Sequence, residues 1–164
     1  MGKFNIKDEE DFATVKKSAE VFYKTIGSVN CPYFNGIVSF NAKGWRHLTF
    51  KNDRQARLQI DQYARLKLLH LAPEIIKKSH TIQGVWQTRI FEQLKTNATN
   101  NQWSKILKDV CFYEFIAVLG NVRVKVIIKQ VQNGEKYFWS VIPFWGVDKM
   151  TSKRILYGGS PDLD

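Results

Sequence analysis

Trp45, Arg46 and His47 follow one another directly, so an aromatic ring, a cation and an imidazole share one short segment. Further cations come at Lys51, Arg54 and Arg57. A second concentration lies near the C-terminus. Arg123, Lys125 and Lys129 punctuate an apolar run there, ahead of Tyr137, Phe138 and Ser140. From residue 121 to 157 there are seven basic residues and two acidic ones. These residue types suit work on a phosphodiester. Metal-free RNA cleavage needs a base for the 2′-hydroxyl, an acid for the leaving 5′-oxygen and cations for the charge on phosphorus oxygens. Histidine has a pKa fit for the proton steps, and arginine binds phosphate through two parallel N–H groups. Trp45, Tyr137 and Phe138 offer faces on which unpaired bases stack. Glu114, a single acid beside the basic run, reads as an ion-pair partner or as a base in a cationic groove.

The remaining histidines carry less. His70, in "KLLHLAP", stands near a helix end where a capping role is expected. His80 opens a segment of ambiguous structure. Serine-hydrolase, Walker, zinc-protease and dinucleotide signatures do not occur. The acids are scattered too widely for a two-metal nuclease, and no His/Cys spacing fits zinc. No metal and no cofactor is expected.

The 164 residues suit a single domain, and a 44% hydrophobic share supplies a core. A formal net charge of +10 points to a polyanionic partner, whether nucleic acid, an anionic membrane face or an acidic protein. Cys31 and Cys111 lie outside any CxxC pattern, which fits reduced thiols and a cytoplasmic setting. The charged start "MGKFNIKDEEDF" lacks the apolar run of a signal peptide. No run approaches the roughly 18 apolar residues of a membrane span, so no membrane role is expected.

These residues need elements to hold them. "DEEDFATVKKSAEVFYKTIG" predicts a helix capped by Asp8 and ended by Gly27, with Phe12, Val15, Ala19, Phe22 and Ile26 inward. "NGIVSF" and "WRHLTF" predict a hairpin bent at "NAKG", which places His47 on a strand. Asp53 is the expected cap of a second helix reaching Leu71, with Ile60, Ala64, Leu68 and Leu71 as its stripe and Arg54, Arg57 and Arg65 on other faces. Pro73 is expected to open a further helix. "IQGVWQTRIFEQL" fits strand or helix, "TNATNN" a polar loop and "QWSKILKDV" a modest helix. Residues 111–145 predict an antiparallel meander with two-residue turns at Gly120-Asn121 and Asn133-Gly134.

Those turns fix the register. Leu119 should oppose Val122, Phe115 Val126, Ile128 Trp139 and Val126 Val141. One face then carries Tyr113, Phe115, Val124, Val126, Ile128, Trp139 and Val141, to be buried under helices. The other carries Glu114, Arg123, Lys125, Lys129 and Ser140, with Phe138 beside Lys129. The expected fold is α+β. N-terminal helices (about 8–109) pack on one face of a C-terminal antiparallel sheet of four or more strands (about 111–145), ahead of a loose tail at 158–164.

The "GIVSFNAKGWRHLTF" and "VRVKVIIKQVQNGEKYFWSVIP" segments, with the helix-rich first half, resemble phage-associated nuclease domains of the barnase, EndoU, colicin and RelE-like superfamily. The likeness spans about residues 33–145. It implies a metal-independent endoribonuclease of a phage or mobile element that leaves a cyclic phosphate. Such a hydrolase would be toxic, so the resemblance also implies a possible acidic inhibitor protein. His47 would match the proton-transfer histidine. Lys125 or Arg123 would match the phosphate holder of the central strand, Ser140 the hydroxyl of the next strand, and Arg54 or Arg57 a helix-borne phosphate contact. Arg46, Lys129, Trp45 and Phe138 complete the expected RNA surface, and His80 is the spare candidate for a second histidine. The alternative is a nucleic-acid-binding or protein-binding module without catalysis.

Overall fold

The computed structural model describes residues 6–95, 103–119, 122–144, 146–147, 150–151, 154–155, 161 and 164. Helix α1 (Glu9–Ile26) starts where Asp8 accepts a hydrogen bond from the Asp11 amide at 2.7 Å. It ends at Gly27, whose φ of 64° suits a residue without a side chain. Ala19 and Tyr23 are its buried residues, with Phe12, Val15 and Ile26 packed alongside. Phe22 is exposed, against expectation, because Tyr23 takes the inward position and its hydroxyl donates to the Asn41 carbonyl.

Strands β1 (Ser28–Cys31) and β2 (Gly36–Ser39) form a short antiparallel hairpin. The second strand expected at "WRHLTF" is instead helix α2 (Ala42–Thr49), so His47 is helical. Asn41 explains the difference. Its side chain accepts from the amides of Lys43 and Gly44, which caps a helix where "NAKG" read as a turn. Residues expected to begin the next helix form a β-hairpin, β3 (Phe50–Asn52) and β4 (Gln55–Ala56). Asp53 is therefore not a helix cap, and α3 is confined to Gln59–Leu68. Ile60 is exposed, while Ala64 and Leu68 are buried as expected. Helix α4 (Ala72–Lys78) carries Pro73 in its first turn.

Strands β5 (Gly84–Lys95), β6 (Trp103–Leu119), β7 (Val122–Val131) and β8 (Lys136–Pro143) are the long part of the sheet. Two short hairpin strands, β9 (Gly146–Val147) and β10 (Arg154–Ile155), follow. The six-stranded sheet has the order β1-β2-β8-β7-β6-β5, antiparallel except where β2 runs parallel to β8. The segment "QWSKILKDV" is thus strand rather than helix from Trp103 on, drawn out by an unbroken ladder with β5. Arg89–Lys95 pair with Trp103–Asp109 beyond the reach of β7, which joins β6 only from Val110. That leaves a two-stranded arm. The polar loop at 96–101 and the turn at 120–121 lie outside the described residues.

The register of the meander matches the expectation at Leu119–Val122, Phe115–Val126 and Val126–Val141. It departs from Ile128 to the end of the hairpin: Lys129 opposes Tyr137 rather than Phe138, Gln130 opposes Lys136, and the turn spans Val131–Gly134 in place of the expected two-residue turn at Asn133-Gly134. Ile127 opposes Ser140 while Ile128 opposes Phe138, so Trp139 is the extra residue of a bulge. Phe138 consequently joins Phe115, Val124, Val126, Ile128 and Val141 in the core beneath the helices. Trp139 turns to the opposite face, against Val110, Phe112 and Ile127. Two consecutive residues, Trp139 and Ser140, thereby share a face. Helix α2 lies against the edge of β8, which β2 covers only at Lys136 and Tyr137. A Cβ on Gly44 would stand 2.2 Å from the Phe138 carbonyl oxygen, so only glycine permits this approach.

Candidate nucleic-acid interface and anion cradle

Because α2 and α3 sit at the β8 edge, their polar side chains reach round it onto the second face of the sheet. There Arg57, Arg65, Lys125, Ser140 and His47 converge, all buried. What they converge on is Asp164, which is 2% exposed. Its main-chain oxygen accepts from Arg65 Nη1, from Ser140 Oγ at 2.6 Å and from Arg57 Nη2 at 3.3 Å. Its carboxylate takes Lys125 Nζ at 3.0 Å. The tail residue expected to be loose is thus held at the centre of the cluster. Residues 158–160, 162 and 163 of that tail lie outside the described residues.

Two other carboxylates balance the cations. Asp61, on the first turn of α3, bridges Arg57 at 3.2 Å and Arg65 at 2.9 Å. Glu114 meets Lys125 at 3.1 Å, which makes it the ion-pair partner that the sequence allowed. The strongly desolvated charges are tolerable because each has a hydrogen-bonded opposite. Burial, reinforced by Arg65, lowers the Arg57 pKa to about 10 against the pull of Asp61.

His47 Nε2 lies 2.8 Å from Arg57 Nη2. Guanidinium has only donors, so Nε2 accepts, and the ring's one proton belongs on Nδ1. Nε2 also approaches the Asp164 oxygen at 3.2 Å, a contact without a hydrogen bond in that tautomer. The ring stacks on Trp139 with centroids 3.8 Å apart. Burial first, then the charges of Arg57 and Arg65, holds the His47 pKa down to about 2. The imidazole is neutral at any ordinary pH, and its lone pair is engaged.

Beside the cradle runs an open groove of about 800 Å³. One side comes from α2 and the β3–β4 hairpin, the other from the β5–β6 arm, and Lys129, Tyr137 and Trp139 form part of the lining between. Lys43, Arg46, Lys51, Arg54, Lys105 and Lys129 line it with the acids Asp53 and Glu92. Several cations lie on rings: Arg46 is 5.1 Å from the Phe50 centroid, and Lys129 is 3.8 Å from that of Trp139. The indole Nε1 of Trp139 is buried with no hydrogen-bond partner among the described residues. His47 lines this groove and also touches Asp164, so groove and cradle are contiguous. A larger cleft, about 1030 Å³, holds Arg89 and Asp109, which pair with each other at 2.8 Å. Its lining has none of the cation excess of the groove, so volume alone does not mark the site.

The residues singled out by sequence therefore separate into groups. Arg46, Arg54 and Lys129 line the groove, with His47 at its boundary. Lys125, Ser140 and Arg57 belong to the cradle, and they are buried rather than displayed on an open cationic sheet. Arg57 precedes α3 instead of riding on a helix. Arg123 is exposed near the outer end of β7, opposite Val118. Trp45 packs on the core beside Tyr23, and Phe138 lies wholly within it, so neither offers a face to a base. Phe50 and Phe91 are the exposed rings of the groove, whereas Tyr137 is buried and Trp139 has His47 stacked on it and Lys129 over its ring. His70 is exposed and its Nδ1 lies 2.8 Å from the Lys67 carbonyl. His80 borders a separate cleft between α4 and β6. Sequence reading missed Arg65, Asp61 and Asp164 as members of the site.

The fold and site define a class: an α+β domain with a basic, aromatic groove next to a buried anion cradle. Compared with known proteins, the chain matches no family model, no curated protein and no solved structure. No helix among the described residues is long and apolar enough to cross a membrane.

Proposed function

We propose that this protein binds single-stranded RNA along the groove between α2 with the β3–β4 hairpin and the β5–β6 arm. The observation that carries this reading is the groove's lining, six cations and four aromatic residues against two acids. Cations neutralise phosphates and release their counterions, while the exposed rings of Phe50 and Phe91 supply faces for bases. The test is fluorescence anisotropy of a labelled RNA oligonucleotide across a salt series. Binding should weaken linearly on a log–log plot with a slope of several, and absence of binding near physiological salt sinks the proposal.

A second reading, metal-independent RNA cleavage, is favoured by the convergence of Arg57, Arg65, Lys125 and Ser140 beside His47. These are the charge-holding groups that attack by a 2′-hydroxyl demands. Proton transfer through His47 would require the Arg57–His47 bond to open first. Incubating RNA with the protein in excess EDTA distinguishes the two. Cyclic-phosphate products that vanish in His47→Ala select cleavage, and retained but intact RNA selects binding alone. An acidic inhibitor protein belongs only to the cleavage reading.

A further inference from the structure

Asp164 is placed where a ligand would be expected. Two guanidinium groups and a hydroxyl converge on one main-chain oxygen. Its carboxylate adds a buried ammonium partner, Lys125. Arg57, Arg65 and Lys125 are each at least nine-tenths buried and are fixed by Asp61 and Glu114. Among the described residues Asp164 supplies one of the three carboxylates set against these three desolvated cations, so the place it holds is one that suits an anion. Paired arginine forks with a serine hydroxyl and a lysine match the several oxygens of a tetrahedral phosphate.

We propose that the cradle is a binding site for a phosphate group, and that Asp164 fills it as an internal stand-in which the phosphate displaces. The source is the backbone of the RNA in the adjoining groove, reached past His47 and Trp139. That source rests on the proposed function, whereas the chemistry of the cradle does not. RNA binding is then coupled to release of Asp164, and the chain restrains its own site whenever RNA is absent.

The test compares the unmodified chain with Asp164→Asn, which keeps the shape and removes the charge that holds Lys125. Inorganic phosphate is titrated into each by calorimetry, with chloride at matched ionic strength as the control. Asp164→Asn should bind phosphate at least about tenfold more tightly, a gap of about 1.4 kcal/mol. Equal affinity in both chains, or saturable binding in neither, overturns the proposal. If Asp164→Asn does not fold, phosphate is titrated into the unmodified chain and the His47 ring is followed by NMR. A saturable shift specific to phosphate supports the cradle, and a shift that chloride reproduces overturns it. A short single-stranded RNA separates the two proposals. RNA that binds neither chain, with phosphate still discriminating them, removes the groove reading and keeps the cradle. RNA that binds both chains equally, with no phosphate discrimination, keeps the groove and removes the cradle.

Discussion

The cradle and the groove are both cationic and share a boundary at His47, yet they manage charge in opposite ways. In the cradle, Arg57, Arg65 and Lys125 are out of water and matched to Asp61, Glu114 and Asp164 at about hydrogen-bond distance. In the groove, Arg46 meets Asp53 at 3.6 Å with both side chains largely in solvent. A pair of that kind contributes little to stability, because water screens it. Charges taken out of water hold the fold together, and charges left in water remain available to a partner.

That contrast is open to breakage, most severely in the cradle. Arg65→Ala should cost about 2–4 kcal/mol in urea denaturation, since it removes the buried guanidinium that ties Asp61 to Ser140 and Asp164 and leaves Arg57 as the remaining arginine of the network. A loss below about 1 kcal/mol would mean that the cradle is not holding α3 to β8. At the junction, Gly44→Ala should destabilise by about 1–3 kcal/mol, because the added carbon strikes the Phe138 carbonyl and the Tyr23 hydroxyl. Thermal melts check this, and an unchanged melting temperature would show that α2 shifts freely on β8.

Acid provides a milder probe. The folded His47 pKa of about 2 lies below its ordinary 6.5, so the unfolded chain binds the extra proton between those values. Stability from this group is complete above pH 6.5 and falls as pH drops, by up to about 1.4 kcal/mol per unit. Melts at pH 7, 6 and 5 should show the decline, and His47→Gln should flatten it. An identical slope in His47→Gln would assign the acid sensitivity elsewhere. The smallest change in stability belongs to the groove. Lys51→Ala should leave it within about 0.5 kcal/mol while lowering the salt slope of RNA binding by about one. A large loss of stability there would erase the distinction between the two regions.

The meander was legible because its β-branched and aromatic runs alternate strictly and are broken by the turn-forming pairs Gly120-Asn121 and Asn133-Gly134, although the second turn forms one residue earlier, over Val131–Gly134. The swap of Phe138 for Trp139 was not, because a bulge leaves no mark in that alternation. "WRH" was misassigned to a strand because β-branched and aromatic residues flank it, and Asn41 at the bend serves a turn or a helix cap equally well. "QWSKILKDV" lacks strand alternation of its own and takes its form from β5. Arg65 looked like an outward residue of an amphipathic helix. It is buried because α3 meets a sheet edge, so a flank of the helix that an ordinary packed layer would leave wet is covered. Asp164 lies 99 residues from Arg65, and no local pattern links them.

The β5–β6 arm extends seven residue pairs past the end of β7, roughly 20 Å at the usual rise of a strand. A ribbon bonded along one edge only twists more readily than a sheet interior does. Since Ile90, Phe91, Glu92 and Lys105 on this ribbon form the groove's far wall, the spacing between walls follows the coil of the ribbon. On the reading that RNA lies in this groove, the width offered to it is set by the twist of a single pair of strands.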